Sequence, residues 1–298
     1  RAIQSALESE YRPIEIIVSD NASQDGTSDI VSELAREHAE VQHHRSDTTV
    51  PLAENWERAY NLSSGRYFKW GPHDNYYSPD FVGEAIAMLR EDEHATVAYA
   101  HAVFATEKGI PFGVTDDAEP GVVASTPTKR VLKAMRAIRS YPAVREGVMP
   151  REVMERTIGI PNIEPMDRLR VAELAMMGNI RITSDPIIVI QIPEGRKDKD
   201  EWVYNDPDNA SRRRLRLLRI ARSFDASVDY FTDDRTLRLK LKAALTYSYL
   251  RRRVIKAIQR PLQDDQPMDQ LRRFVNAVPP EIMPGASSRF ASMSKSAS

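Results

Sequence analysis

The chain has 298 residues, of which 41% are hydrophobic and 29% charged, with a formal net charge of −1. This composition is typical of a soluble globular protein with one large domain, or one domain and an appendage. The chain has no cysteine, which excludes disulfides and thiolate metal sites and favours a reducing cytoplasm. No window approaches the ~18 uninterrupted apolar residues that would indicate a membrane-spanning helix.

The small net charge conceals an uneven distribution. Residues 1–208 carry 23 Lys and Arg against 35 Asp and Glu, whereas residues 209–260 carry 15 against 4. An acidic body is therefore followed by a basic segment, which either lies on an anionic membrane or packs back on the body. Nucleic acid is the least favoured partner. We predict a main domain over 1–195, a basic helical extension over 196–278 and a disordered tail over 279–298.

Along the main domain, β-branched apolar runs alternate with helical patterns of about ten residues. This alternation predicts βαβ units and an α/β fold with a mostly parallel sheet. The first predicted strands are 14–20, 41–44, 66–71 and 95–104, and the first predicted helices are 28–39, 52–62 and 81–90, the last introduced by Pro79. Residues 107–128 are predicted to form a loop over the sheet. Then follow helix 129–140, edge strand 145–149, a short helix near 151–156, helix 165–177, strands 180–183 and 186–192, and helices 211–224 and 237–258.

Two polar strand ends are candidates for a ligand site, because ligands of open α/β sheets bind beyond the carboxyl ends of the strands. Asp20 and Asn21 follow the first strand, and His73, Asp74 and Asn75 follow the third. Asp74 can bind a hard divalent cation and share it with substrate phosphates, or it can merely cap the next helix. Asp20 can accept a hydrogen bond from a nucleobase or ribose, or it can merely close an Asx turn.

A third acidic candidate, Asp167, lies in the first turn of the predicted helix 165–177. The helix dipole favours a carboxylate there, which suits a general base that must be unprotonated to accept a proton. The alternative is an ordinary first-turn acid, and Glu164 is a second candidate for the base. The sequence has no glycine-rich phosphate loop, nucleophile elbow or HExxH helix, which argues against nicotinamide, ATP, serine-hydrolase and zinc-protease chemistry.

Several segments coincide with those of one known family. They are Arg1–Leu7, Glu15–Thr27, Asn55–Ala59, Gly65–Trp70, His73–Phe81, Gly147–Glu152 and Asp167–Gly178. In this order they resemble a family-2 glycosyltransferase over about residues 1–192. Because Arg1–Leu7 matches the interior of the family pattern, we expect the family's first strand to precede Arg1.

The resemblance implies a GT-A fold, Rossmann-like, with the C-terminal helices as an extension. It implies an inverting transfer of a sugar from a nucleotide-sugar donor to the hydroxyl of a glycan, lipid-linked or small-molecule acceptor. Such a reaction would serve cell-surface polysaccharide or glycan synthesis, in the cytoplasm or at the inner face of the membrane.

The resemblance also implies a role for each candidate residue. Asp20 and Asn21 would contact the donor nucleoside, and His73 and Asn75 would line the donor site. Asp74 would coordinate Mn²⁺ or Mg²⁺ against the donor diphosphate. Asp167 would be the catalytic base.

Two positions of the expected metal motif depart from the family. His73 and Asn75 stand where carboxylates are expected, so Asp74 is the single acid there. The alternative function is therefore a catalytically impaired, glycosyltransferase-like binding or scaffold protein.

Overall fold

A computed structural model describes residues 1–115, 121–138, 141–160, 166–192 and 221–259. The expectations for Glu164, for residues 211–220 of the predicted helix 211–224 and for the tail 279–298 lie outside these ranges.

The described part of the chain contains eight strands, and most of them are separated by helices, as expected from the sequence. The strands are β1 (Ile16–Asp20), β2 (Val41–Arg45), β3 (Tyr67–Phe68), β4 (Tyr76–Tyr77), β5 (Ala95–Thr106), β6 (Pro111–Val114), β7 (Met149–Pro150) and β8 (Asn179–Ile192). The helices are α1 (Ala2–Leu7), α2 (Thr27–Glu37), α3 (Leu52–Leu62), α4 (Phe81–Glu91), α5 (Pro127–Ala137), α6 (Tyr141–Arg145), α7 (Arg151–Glu155) and α8 (Met166–Met177). Residues 221–231 form α9, and Arg235–Gln259 form α10.

The two long ladders of the structure are parallel. β1 pairs with β2, from Ile16 opposite Val41 onwards, and β5 pairs with β8. The antiparallel ladders are short: β3 pairs with β7, β4 with β8, and β6 with β5. The α/β class is therefore confirmed, but the described strands form three sheets instead of one mostly parallel sheet. The largest sheet has the strand order β4-β8-β5-β6 and is mixed, since its central ladder is parallel and its two outer ladders are antiparallel.

The core is built around β5 and β8. Strand β5 is an almost continuous apolar run, and Val97, Ala98 and Tyr99 are fully buried because helices cover the sheet. Helix α8 contributes Leu169 and Leu174 to the same core. This central unit fixes the positions of the loops that carry the candidate site.

Four expectations about local structure were wrong in part. Residues 107–128 include strand β6, and the third strand is confined to Tyr67–Phe68. Residue 145 ends helix α6, so the strand expected over 145–149 begins only at Met149. The two strands expected at 180–183 and 186–192 are one strand, β8, whose register against β5 shifts between Tyr99 and His101. A bulge of this kind accommodates a proline within a strand.

The carboxyl-terminal helices pack on the main core. Phe224 and Val228 of α9 and Leu241 and Leu245 of α10 belong to the cluster formed by β5 and α8. Ion pairs join the two helices, with Arg238 Nε 3.2 Å from Asp229 and Lys242 Nζ 3.1 Å from the same carboxylate. Part of the basic charge is thus neutralised locally. None of the described helices is both long and apolar enough to cross a membrane.

Candidate active site

Asp20 ends β1 as a buried carboxylate with several protein partners. Its Oδ1 accepts a hydrogen bond from the Ser23 amide at 2.9 Å, and its Oδ2 accepts one from the Ser28 hydroxyl. His43 Nε2 and Arg45 Nε lie 3.5 and 3.4 Å from Oδ2. Burial alone would raise the pKa of Asp20, but the hydrogen bonds, above all that from Ser28, lower it to about 2. Asp20 is therefore an ionised anchor of the loop between β1 and α2.

Asn21 and Ala22 shape the same loop. The Asn21 side-chain amide donates to the Val50 carbonyl at 2.8 Å and accepts from the Val50 amide at 2.9 Å. Ala22 has a φ of 61°, in the left-handed region that a residue with a Cβ rarely adopts. The side chains of Asp20 and Asn21 thus build the loop, and their expected contact with the donor nucleoside stays a prediction.

Helix α3 connects this loop to the second group of candidate residues. Asn55 Oδ1 accepts a hydrogen bond from the Ser19 hydroxyl at 2.9 Å, and its Nδ2 donates to the Ser19 carbonyl at 3.1 Å. The next residue, Trp56, lies against the guanidinium of Arg145, with 4.6 Å between Cζ and the ring centroid. Adjacent residues of one helix therefore position both parts of the site.

The second group surrounds Arg145, at the end of α6. Arg145 Nη1 lies 3.1 Å from Asp167 Oδ1, and Nη2 lies 3.1 Å from Glu146 Oε1. Burial alone would lower the pKa of Arg145, but Asp167 and Glu146 outweigh it and raise the pKa, with a smaller contribution from Asp74. The structure thus pairs the expected base, Asp167, with the same guanidinium that holds Glu146.

Glu146 is fully buried beside Arg145. Asn75 Nδ2 donates a hydrogen bond of 2.8 Å to Glu146 Oε1, while Oε2 has no hydrogen-bond partner among the described residues. Burial raises the pKa of Glu146, opposed by Arg145, Lys69 and Asn75. Burial lowers the pKa of Lys69 to about 8, although the negative charge of Glu146 acts to raise it. Asn75, expected in the donor site, therefore has its amide nitrogen directed at a buried carboxylate.

The expected metal motif offers few ligands. His73 is exposed and Asp74 is half-buried, and within the described residues no three His, Asp or Glu side chains cluster as a metal cage. The single carboxylate of Asp74 would fit only a cation that takes most of its ligands from a bound diphosphate.

Arg145, Glu146, Lys69 and Trp56 were not identified from the sequence as site residues. Arg145 and Glu146 stand between the apolar pair Ala143–Val144 and the pair Gly147–Val148. Charged residues in such an apolar segment are usually buried and paired, so the sequence itself indicated that Arg145 and Glu146 have partners. Which carboxylates pair with Arg145 depends on tertiary contacts with β4, α3 and α8.

The fold is that of the GT-A glycosyltransferases, as similar solved structures show. Residues 1–116 match the family described as Glycosyl transferase family 2, which confirms the resemblance seen in the sequence. The amino-terminal part of the chain therefore carries the sequence pattern of that family.

Solved structures with the same fold include two groups of glycosyltransferases. The chain is similar to S. aureus TarS 1-349 at 13% identity and a TM-score of 0.58, covering 94% of this chain and 77% of that one. TarS 1-349 in complex with UDP-GlcNAc matches at 14% identity and a TM-score of 0.57, with the same coverage. The mannosyltransferase PcManGT from Pyrobaculum calidifontis, in complex with GDP-Man and Mn²⁺, matches at 15% identity and a TM-score of 0.51, covering 96% and 78%. No protein of curated function matches the sequence.

Proposed function

We propose that this protein transfers a sugar, with inversion, from a nucleotide-sugar donor to a hydroxyl acceptor. The observation that carries the proposal is the ion pair of the candidate base, whose Asp167 Oδ1 lies 3.1 Å from Arg145 Nη1. The same guanidinium pairs with Glu146, which accepts a hydrogen bond from Asn75, so the candidate base is connected to the segment that follows the third strand. The donors of the similar structures, UDP-GlcNAc and GDP-Man, support a sugar nucleotide as the donor.

In the proposed reaction, the acceptor oxygen attacks the anomeric carbon as Asp167 accepts its proton. The bond from that carbon to the diphosphate oxygen breaks, and the nucleoside diphosphate leaves with the electron pair. General-base catalysis of this kind contributes about 10²–10⁴-fold. The half-buried Asp167, whose side chain is 29% exposed, can reach both Arg145 and an acceptor in solvent.

Negative charge grows on the diphosphate as it leaves. Asp74, with His73 beside it, would hold Mn²⁺ or Mg²⁺ there, and a bound cation supplies Lewis-acid stabilisation of the leaving group. Lys69 and Arg145 add fixed positive charge at the same corner. The GDP-Man and Mn²⁺ complex of PcManGT supports a divalent cation in this class of protein.

Donor binding tests the proposal directly. UDP-GlcNAc or GDP-mannose with Mn²⁺ should raise the thermal unfolding midpoint, and Asp74→Ala should abolish the rise. Asp47→Ala, which removes an exposed carboxylate elsewhere, is the control. No rise with any UDP-, GDP- or dTDP-sugar would overturn the proposal.

A measurement of sugar transfer distinguishes an enzyme from the alternative function, a binding or scaffold protein. Both functions allow donor protection, but the enzyme alone releases nucleoside diphosphate from the bound donor. Asp167→Asn should retain donor protection and lose the release. Donor protection without release in the wild-type protein would favour the scaffold.

We further propose a cytoplasmic protein that acts on a glycan, lipid-linked or small-molecule acceptor and contacts the inner face of the membrane through residues 209–260. The excess of 15 basic over 4 acidic residues in that segment supports the contact. Deleting the segment would remove buried Leu241 and Leu245, so substitution is the better test. Changing Arg212, Arg213 and Arg214 to Gln should reduce co-sedimentation with phosphatidylglycerol vesicles. Unchanged co-sedimentation would contradict the proposed membrane contact.

A further inference from the structure

Asn75 occupies a position where the family pattern leads one to expect a metal-binding acid, yet its side chain is built into the protein. Its Oδ1 accepts a hydrogen bond from the Gln191 amide of β8 at 3.2 Å, and its Nδ2 donates to Glu146 at 2.8 Å. Asn75 is 8% exposed and Glu146 is fully buried. Both ends of the Asn75 amide are therefore occupied, one by an acceptor and one by a donor.

These contacts continue to the candidate base. Glu146 Oε1, which accepts from Asn75, also accepts from Arg145 Nη2 at 3.1 Å. The other end of the same guanidinium, Nη1, lies 3.1 Å from Asp167 Oδ1. An unbroken series thus runs from the backbone of β8, through Asn75, Glu146 and Arg145, to Asp167.

We infer that Asn75 is a positioning residue, which acts through Glu146 and Arg145 to hold the Asp167 carboxylate, and that it is not a metal ligand. The inference rests on the proposed function for the role of Asp167. The physical reason is that Glu146 requires a donor at position 75. The Asn75 amide can donate to Glu146 while it accepts from Gln191, whereas an ionised carboxylate at position 75 could only accept.

The inference and the metal-ligand alternative predict opposite effects for Asn75→Asp. If position 75 binds metal, a carboxylate there should tighten Mn²⁺ binding and raise activity. If it positions Glu146, the substitution replaces a hydrogen bond with two facing carboxylates in a buried site, which displaces Arg145. A displacement of about 1 Å at a reacting group costs about 10²-fold in kcat.

The reciprocal exchange, Asn75→Asp with Glu146→Gln, provides the rescue. The carboxylate introduced at position 75 can accept from Gln191 and from the amide introduced at position 146. The oxygen of that new amide still accepts from Arg145, and the exchange conserves the net charge of the site. Asn61→Asp and Glu57→Gln make the same chemical changes at exposed positions of α3 and are the matched controls.

The experiment measures release of nucleoside diphosphate from UDP-GlcNAc and GDP-mannose with water as acceptor, together with Mn²⁺-dependent donor protection and thermal unfolding. Asn75→Asp should lower kcat about 10²-fold and change the donor KM less than about threefold. The exchange variant should have a kcat at least about tenfold higher than that of Asn75→Asp. Higher activity or tighter Mn²⁺ binding in Asn75→Asp would overturn the inference. So would an exchange variant that unfolds at the wild-type temperature but is no more active than Asn75→Asp.

The proposed function can fail separately. If the wild-type protein releases no diphosphate from any donor, that function is wrong. The unfolding midpoints of the two single variants and the exchange still decide whether Asn75 and Glu146 are coupled. If the changes in unfolding midpoint of the two single variants add up to that of the exchange variant, Asn75 and Glu146 are not coupled and the inference is overturned, whether or not the protein is an enzyme.

Discussion

The guanidinium of Arg145 lies against Trp56 in a cation–π contact, 4.6 Å from the ring centroid. Trp56 in turn stacks on Trp70, with 4.8 Å between the ring centroids. These contacts join α3, which supports the Asp20 loop, to α6, which holds the partner of Asp167. The packing of one tryptophan therefore affects both halves of the site.

Trp56→Ala should lower both stability and activity, because it removes the surface on which Arg145 rests. We expect a loss of about 3 kcal/mol in the free energy of unfolding, measured by urea denaturation. Trp56→Phe keeps an aromatic face and should lose less than half as much. Phe112→Ala, which truncates an exposed aromatic ring, is the control. Equal effects of Ala and Phe at position 56 would contradict this role.

Asp20 should make stability depend on acid pH. Its pKa is lowered in the folded protein from 3.8 to about 2, so the unfolded chain binds its proton first as the pH falls. The stabilisation is complete above about pH 4 and is lost as the pH falls towards about 2, and it amounts to about 2 kcal/mol. In urea unfolding, Asp20→Asn should be less stable than the wild-type protein at about pH 6, and this difference should disappear near pH 2. A deficit that is constant with pH would refute the electrostatic origin, and Asp47→Asn is the exposed control.

Lys69 should have the opposite effect at alkaline pH. Burial lowers its pKa from 10.5 to about 8, so the folded protein loses this proton before the unfolded chain does. Stability therefore rises by about 2 kcal/mol between about pH 8 and 10. At higher pH the neighbouring Tyr77, whose pKa is raised to about 12, reverses the trend.

The measurement for Lys69 is urea unfolding of wild-type protein and Lys69→Met across about pH 7–10. The methionine variant should lose the alkaline rise, because it has no proton to release. An equal rise in both proteins would assign the effect to other groups.

Gly147 should tolerate no side chain, because the chain passes close to β5 there. A Cβ at this position would lie 2.5 Å from Val97 Cγ2 and 2.8 Å from the Ala98 carbonyl oxygen. Gly147→Ala should therefore lower the free energy of unfolding by about 2 kcal/mol. It should also displace the adjacent Glu146 and so lower the release of nucleoside diphosphate. Gly71→Ala adds a methyl group into open space and should be neutral in both assays. An unchanged unfolding midpoint for Gly147→Ala would contradict the close approach.

The sequence determined the class of fold and the order of its elements. Helix Leu52–Leu62 and the core of β5 were predicted closely, because apolar periodicity is a local property that burial enforces. The motif segment around Asp20 predicted a resemblance to glycosyltransferase family 2 that the match over residues 1–116 confirms, whereas the segment around Asp167 lies outside that match. The short ladders were predicted poorly, because two-residue strands such as β3 have no periodicity of their own.

The tertiary structure alone decided what the candidate side chains contact. The sequence could not show that Asn75 donates to Glu146, or that Asp167 shares Arg145 with that buried carboxylate. Such pairings join the residue before β4, the end of α6 and the first turn of α8, which are distant along the chain, and they depend on distances of about 3 Å that no local pattern encodes. Residue types suggest which groups are able to react, whereas packing determines which of them are already bound to a partner.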